Sequence, residues 1–334
     1  MSIKATITAI SHYVPEDILS NSDLEKLVDT NDEWIKSRTG ISERRILKKG
    51  ATSDLAFPAV QNILKQRNIS PLEIDTIIVA TVTPDMFFPS TACILQEKIG
   101  AKNAFAFDLN AACSGFLYAL VVGSQMIESG SRKKVLVVGA DKMSSILNYK
   151  DRNTCILFGD GAGAVLLEPS EDETFGVLDN RLYSDGSGKD FLYMKGGGSL
   201  NPATHETVDQ QLHYLFQDGK SVFKTAVIGM ADVSAELMTR NNLTSENIDW
   251  LVPHQANLRI IDACAEQMGI DKSKVMINIE RYGNTTAATI PLCLSEWWHA
   301  GKIKKGQNII LSSFGAGYTW GAVYLRWSLD PPTN

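Results

Sequence analysis

The second half of this chain restates the first, and that repeat constrains the fold more than any other feature. Leu64-Lys-Gln-Arg-Asn-Ile-Ser-Pro-Leu-Glu-Ile-Asp75 lies over Met238-Thr-Arg-Asn-Asn-Leu-Thr-Ser-Glu-Asn-Ile-Asp249 without a gap. Ile99-Gly100 answers Met268-Gly269, and Gly130-Ser-Arg-Lys-Lys answers Gly301-Lys-Ile-Lys-Lys. Between them, Asn110-Ala-Ala-Cys113 answers Arg281-Tyr-Gly-Asn284, with equal spacing from Cys113 to Gly130 and from Asn284 to Gly301. Solenoid repeats run about 20–50 residues, so a repeat this long implies duplication of one whole unit. Within each copy, β-rich runs such as Ile74–Val82 and Lys134–Ala140 alternate with helix-length periodic stretches such as Ser53–Arg67. A strand also starts the chain, over Ser2–Ile10. That alternation predicts a layered α/β fold. The join falls in the acidic stretch Glu168-Pro-Ser-Glu-Asp-Glu173, giving halves 1–172 and 173–334. A site between two facing copies can draw side chains from both.

Within the first copy, Cys113 follows the strand-like run Ala104–Asp108 and precedes the apolar, helix-length run Phe116–Met126. It therefore sits on a sharp strand-to-helix turn, the kind of turn that presents a nucleophile. Orphan amides and the positive end of the helix dipole favour a thiolate there. A helix N-terminus contributes about 0.3–1 kcal/mol, at most ~2, against roughly 1.4 kcal/mol per pKa unit. The dipole alone is thus expected to lower the thiol by about one unit. The other four cysteines (Cys93, Cys155, Cys264 and Cys293) lie in apolar runs and form no metal-ligand spacing. An odd, scattered set of cysteines points to a reducing compartment, hence the cytoplasm.

The second copy supplies two polar partners. Its strand matching Ile74–Thr81 ends in Leu251-Val-Pro-His254, which puts His254 at a strand's C-terminal end, where open α/β sheets bind ligands. Asn284, in Tyr282-Gly-Asn-Thr-Thr-Ala287, falls at the position matching Cys113, again on a strand-to-helix turn. A cysteine, a histidine and an asparagine at equivalent ends of related strands suit acyl transfer. The net charge of −6 argues against a general nucleic-acid binder, and no apolar run reaches the ~18 residues of a membrane span. The N-terminus has no signal-peptide pattern.

Taken together, Ala112-Cys113-Ser-Gly-Phe116, Val252-Pro-His254-Gln-Ala-Asn-Leu-Arg259 and Gly283-Asn284-Thr-Thr-Ala287 closely resemble the β-ketoacyl-acyl-carrier-protein synthase III family. So do Asp32-Glu-Trp34 with Arg38-Thr-Gly-Ile41, Asp151-Arg152, the Phe158–Ala164 stretch, Val222-Phe-Lys224 and Gly315-Ala-Gly-Tyr-Thr-Trp-Gly321. The resemblance covers nearly the whole chain. It implies a thiolase-like five-layer αβαβα fold of two duplicated halves, the first carrying the cysteine and the second the histidine and asparagine. It also implies an acyltransferase of type II fatty-acid initiation, condensing a short acyl-CoA primer with malonyl-acyl-carrier protein by decarboxylative Claisen chemistry.

The resemblance carries residue roles too. Cys113, His254 and Asn284 are the catalytic set. Backbone amides of Cys113 and Ala316 form an oxyanion hole. Trp34, Arg38 and Arg152 hold CoA, and Phe88 belongs to the primer pocket of a partner subunit, implying a homodimer. Lys224, Gln255, Ala256, Asn257 and Arg259 form the carrier-protein docking patch. No cofactor or metal is implied, the CoA thioester being a substrate, and neither nucleic acid nor membrane is a partner. Two departures stand out: Ala316 replaces the middle glycine of a common Gly-Gly-Gly, and Tyr193–Gln217 is longer than in well-known members. Two other readings stay open on the residues: a condensing enzyme of the same fold acting on another acyl chain, and a Cys-His-Asn hydrolase or inactive scaffold. A degradative thiolase would need a second cysteine near the C-terminus, and Ser312–Gly321 has none.

Overall fold

A computed structural model describes residues 3–332. Ser2, where the first strand was expected to start, lies outside the described residues. The duplication is visible in the sheets. The first sheet comprises β1 (Lys4–Tyr13), β2 (Thr76–Ala80), β3 (Phe105–Leu109), β4 (Val135–Lys142) and β5 (Asp160–Ser170), in spatial order β1-β5-β4-β2-β3. The second comprises β6 (Gly176–Ser184), β7 (Trp250–Pro253), β8 (Asn308–Gly315) and β9 (Thr319–Arg326), in order β6-β9-β8-β7. The order is the same in both. The counterpart of β3 shrinks to one bridge, Val275 against Leu251. The β2–β3, β2–β4 and β7–β8 pairs are parallel, whereas β1–β5, β4–β5, β8–β9 and β6–β9 are antiparallel.

Helices complete five layers. α1 (Asp32–Thr39) lies at the surface, while α2 (Thr52–Arg67) and α3 (Thr91–Ile99) cover the outer face of the first sheet. α4 (Gly115–Glu128) packs on β1, β2, β4 and β5 of the first sheet and on β6 and β9 of the second. α5 (Gly219–Arg240) and α6 (Leu258–Gln267) cover the outer face of the second sheet, and α7 (Thr289–His299) packs on β1, β5 and β7. α4 and α7 thus form the middle layer, and their composition shows it. Every residue of α7 from Thr289 to Ser295 is buried. α4 keeps Phe116, Leu117, Ala119 and Leu120 in the same central core. A helix buried on several sides carries apolar residues around most of its circumference. Glycines let the layers close: a Cβ on Gly139 of β4 would lie 2.3 Å from the Ala287 carbonyl oxygen, just before α7.

The two turns that lead into the middle helices are structural equivalents. Ala112 precedes α4 at φ 47°, and Thr286 precedes α7 at φ 51°. These are the left-handed pivots of the duplicated unit. Cys113 therefore corresponds to Ala287, and Asn284 lies two residues upstream of its pivot. The equal spacing to Gly130 and Gly301 misled because α7, at 11 residues, is three shorter than α4 at 14. A shortened helix restores the count at its far end while shifting the register at its start.

Candidate active site

Cys113 lies in a 3-10 turn, Ala112–Ser114, between β3 and α4. Bonds from the other half hold that turn. The Ser313 hydroxyl donates to the Cys113 carbonyl at 2.9 Å, and the Thr319 hydroxyl donates to the Ala111 carbonyl at 2.8 Å. Ser114 in turn donates to the Thr319 carbonyl at 3.0 Å. Gly315 faces the same turn, with Ala316 next to it.

His254 follows directly on β7. Its backbone amide donates to the Ser312 carbonyl at 2.8 Å, and its ring Nδ1 lies 2.7 Å from the Thr289 hydroxyl. Asn284 is pinned by its backbone, its N–H donating to the Leu157 carbonyl at 2.8 Å and its carbonyl accepting from the Gly159 N–H at 3.1 Å. Its side-chain Oδ1 accepts from the Thr286 N–H at 2.8 Å. An amide whose oxygen is committed this way has its NH₂ group left to donate elsewhere.

These three residues line one cavity of about 1240 Å³ at the junction of the halves, together with Phe314, Ala316 and Gly317. Cys113 and His254 are nearly closed to solvent, at 8% and 1% exposure. Burial, with the nearby Asp141 carboxylate, pushes the Cys113 thiol up to about 12. Burial pushes the His254 imidazole down to about 3. The expected thiolate, lowered by the helix dipole, is thus overturned. A dipole effect of at most ~2 kcal/mol cannot offset burial that disfavours the anion by about three pKa units. At neutral pH the cavity is thus lined by a thiol and a neutral imidazole.

Beneath the site lies a residue that sequence reasoning missed. Asp141 is fully buried at the end of β4 and accepts from the Thr81 and Thr83 hydroxyls, both at 2.9 Å, and from the Val82 amide at 2.8 Å. Across the junction it accepts from the Thr286 hydroxyl and from the Ala287 amide at 3.3 Å. A β-branched residue at positive φ is strained and persists only where its surroundings hold it. Asp141 supplies that hold, and so fixes the loop that orients Asn284. An isolated Asp in a buried strand run, followed by Lys142, was the only available signal.

The cavity opens towards Trp34 and Arg38, which line it, as do Asn153 and Lys220. The Arg38 and Arg152 guanidiniums lie 5.5 Å and 5.1 Å from the Trp34 ring centroid, and Arg152 also donates to the Asp29 carbonyl at 2.9 Å. Lys220, exposed at the start of α5, adds a cation that the sequence reading did not single out. The stretch Tyr193–Gln217 forms part of the wall: Tyr193, Met194, Leu215 and Gln217 line the cavity, and the Tyr193 and Phe216 rings stack 4.9 Å apart.

The proposed docking residues divide. Lys224 and Arg259 are exposed, and Arg259 lies 5.4 Å from the Phe223 ring centroid. Ala256 and Asn257 are half-buried, with Asn257 capping α6. Gln255 is buried and committed: its Nε2 donates to the Pro253 and Met276 carbonyls at 2.8 and 3.2 Å, and its Oε1 accepts from the Asn278 amide at 3.2 Å. Gln255 therefore shapes the loop, and its side chain offers nothing to a partner. Phe88 is 85% exposed and does not line its own chain's cavity, although Phe87 does. Cys93 is exposed too, contrary to the reading of its apolar neighbours. No helix among the described residues is long and apolar enough to cross a membrane.

A five-layer duplicated α/β fold with a buried cysteine, histidine and asparagine at its junction defines a condensing enzyme of the thiolase fold. Models of the family 3-oxoacyl-[acyl-carrier-protein] synthase III and of its C-terminal part match residues 107–186 and 238–327. The chain belongs to the β-ketoacyl-acyl-carrier-protein synthase III family, and is an acyltransferase of fatty-acid biosynthesis. It is 63% identical to the β-ketoacyl-[acyl-carrier-protein] synthase III of Chlorobium luteolum, over 97% of this chain and 100% of that protein. The Porphyromonas gingivalis enzyme of the same name is 56% identical over 99% of this chain and 98% of its own. Among solved structures, the 3-oxoacyl-[acyl-carrier-protein] synthase III of Aquifex aeolicus superposes with a TM-score of 0.89 at 45% identity, covering 97% of this chain and 100% of that one. The Pseudomonas aeruginosa enzyme gives 0.91 at 38% identity, over 98% and 100%.

Proposed function

We propose that this chain condenses a short acyl-CoA primer with malonyl-acyl-carrier protein, with residues 1–172 supplying the nucleophile and residues 173–334 the histidine and asparagine. The observation that carries the reading is the convergence of Cys113, His254 and Asn284 on one buried cavity whose open end bears Trp34 and arginines. CoA is the ligand such an opening suits: an indole to stack the adenine, and guanidiniums for the phosphates. CoA is a substrate here, and no step calls for a cofactor.

In the first half-reaction the Cys113 sulfur attacks the primer thioester carbonyl, with the Cys113 and Ala316 amides receiving the oxyanion. A thiol held near 12 is thiolate in about one molecule in 10⁵ at pH 7, so it must lose its proton during the attack. The neutral His254 imidazole is the base in the same cavity. In the second half-reaction malonyl loses carbon dioxide, and negative charge moves onto its thioester oxygen. His254 and the Asn284 amide stabilise that enolate, whose α-carbon then attacks the acyl-Cys113.

The carrier protein docks beside the opening, where Lys224 and Arg259 meet its acidic surface. Two chains form the working unit. In support, β3 is an edge strand carrying the exposed Phe105, and Met86, Phe87 and Phe88 are exposed apolar residues. Phe88 would enter the partner's primer pocket. The enzyme works in the cytoplasm, in keeping with five free cysteines. The test is incubation with labelled acetyl-CoA and malonyl-acyl-carrier protein. A condensing enzyme releases carbon dioxide and makes a β-ketoacyl-carrier protein; release of free acetate alone would overturn the proposal.

A further inference from the structure

One hydroxyl proton decides which nitrogen of His254 faces the cavity. Thr289 Oγ1 lies 2.7 Å from His254 Nδ1 and 3.0 Å from the Thr286 carbonyl oxygen. Both residues are buried, at 1% for His254 and 2% for Thr289, so these contacts have no competing solvent. The hydroxyl has one proton and two possible acceptors. If it turns to the Thr286 carbonyl, Nδ1 must carry a proton and donate to Thr289, and two buried hydrogen bonds form. If it turns to Nδ1, only that bond forms: an unprotonated Nδ1 gives the hydroxyl oxygen nothing to accept, and the Thr286 carbonyl, which accepts the Thr289 backbone N–H and can take a second donor, goes without the hydroxyl. A buried site favours the arrangement with more bonds.

We propose that Thr289 holds His254 with its proton on Nδ1 and its Nε2 lone pair facing the cavity, making Thr289 a positioning residue for proton transfer from Cys113. The inference rests on the condensing-enzyme reading above. It has a consequence for both half-reactions. As the Cys113 sulfur forms its bond to the primer carbonyl, the thiol proton passes to Nε2, the carbonyl–CoA sulfur bond breaks, and Nε2 hands that proton to the departing sulfur, so CoA leaves as the thiol. His254 is left neutral, as it began. With Nδ1–H committed to Thr289, Nε2 can donate to the malonyl thioester oxygen only after taking up one proton from solvent, the proton that the overall condensation consumes. The entering malonyl carboxylate brings the counter-charge. Loss of carbon dioxide puts its bonding pair on the enolate, the α-carbon attacks the acyl carbonyl, the bond to Cys113 breaks, and Nε2 gives its proton to the leaving sulfur. Atoms and charge balance over the cycle.

Thr289→Val keeps the shape and removes the acceptor for Nδ1–H, so the ring reverts towards the Nε2–H form. Acyl transfer from labelled acetyl-CoA to Cys113 in single turnover should then slow about 10-fold or more. Carbon dioxide release from enzyme already acylated should stay within about threefold, because an Nε2–H ring needs no borrowed proton. Thr289→Ser should restore acylation. A residue that merely packs would slow both steps together, and equal losses, no loss, or failure of serine to rescue would each overturn the proposal. ¹⁵N NMR of the wild-type enzyme, with His254 assigned by its absence in His254→Ala, is an independent check. The proposal requires a protonated Nδ1 and an unprotonated Nε2 at neutral pH; the reverse pattern refutes it while leaving the condensing function intact. Failure of the wild type to acylate Cys113 at all would instead refute the function.

Discussion

Gly315 approaches Cys113 so closely that a Cβ added to it would lie 2.7 Å from the Cys113 backbone nitrogen and 3.1 Å from that of Ser114. The last loop of the second half thus rests on the Cys113 turn of the first. Gly315→Ala must push the two apart. Displacing reacting groups by ~1 Å can cost about 10²-fold, and overpacking destabilises by about 1–3 kcal/mol. A loss near 10²-fold in kcat/KM with a modestly lower Tm is expected; full activity would show that the contact is dispensable.

Carrier-protein docking should be electrostatic. Lys224 and Arg259 are exposed cations, so Lys224→Glu and Arg259→Glu should raise KM for malonyl-acyl-carrier protein, with the effect shrinking above about 0.15 M salt. Turnover of a small malonyl thioester should hardly change. Equal losses with both substrates would assign the two residues a structural role.

Five free cysteines offer a contrast in exposure. Alkylation of exposed Cys93 should leave activity unchanged, while inactivation should track labelling of Cys113 and be prevented by acyl-CoA. Peptide mass spectrometry at partial inactivation distinguishes them. Inactivation that follows Cys93 with Cys113 unlabelled would remove Cys113 from the mechanism.

How much of this was legible in the chain depends on what each signal measures. Periodicity and self-similarity depend on short-range order, and they placed His254 directly after β7 and Cys113 directly before α4. The match of Cys113 to Asn284 failed because a three-residue shortening of α7 lies inside the buried helix, where no loop signal marks it. The thiolate expectation failed because the dipole is local and readable, whereas burial is a property of the closed junction. Gln255 illustrates the same limit: its place beside exposed Arg259 in sequence says nothing of the Pro253, Met276 and Asn278 backbone groups that absorb its amide. Asp141 and Thr289 act through partners far away in the sequence, and no spacing reveals them.

The buried imidazole also links stability to pH. Burial holds His254 at about 3 in the folded protein, below its ordinary 6.5. Between those values the unfolded chain binds the extra proton and the folded one does not. His254 therefore lowers stability as pH falls from 6.5 towards 3 and has no effect above 6.5. From pH 7 to 5 the wild type should lose on the order of 2 kcal/mol more than His254→Asn in urea unfolding. Equal losses would mean that the ring is not desolvated.

By the proposed mechanism His254 serves both half-reactions and Asn284 only the second. Single-turnover acyl transfer to Cys113 and carbon dioxide release from pre-acylated enzyme, measured separately in His254→Ala and Asn284→Ala, test it directly. With the thiol held near 12, losing the base should slow acylation by about 10²-fold or more, and condensation by a similar factor. Asn284→Ala should acylate within about threefold of wild type yet release carbon dioxide about 10²–10³-fold more slowly, since a neutral amide donates but takes no proton. If His254→Ala acylates at nearly the wild-type rate, the thiol is activated without the imidazole and the account is wrong.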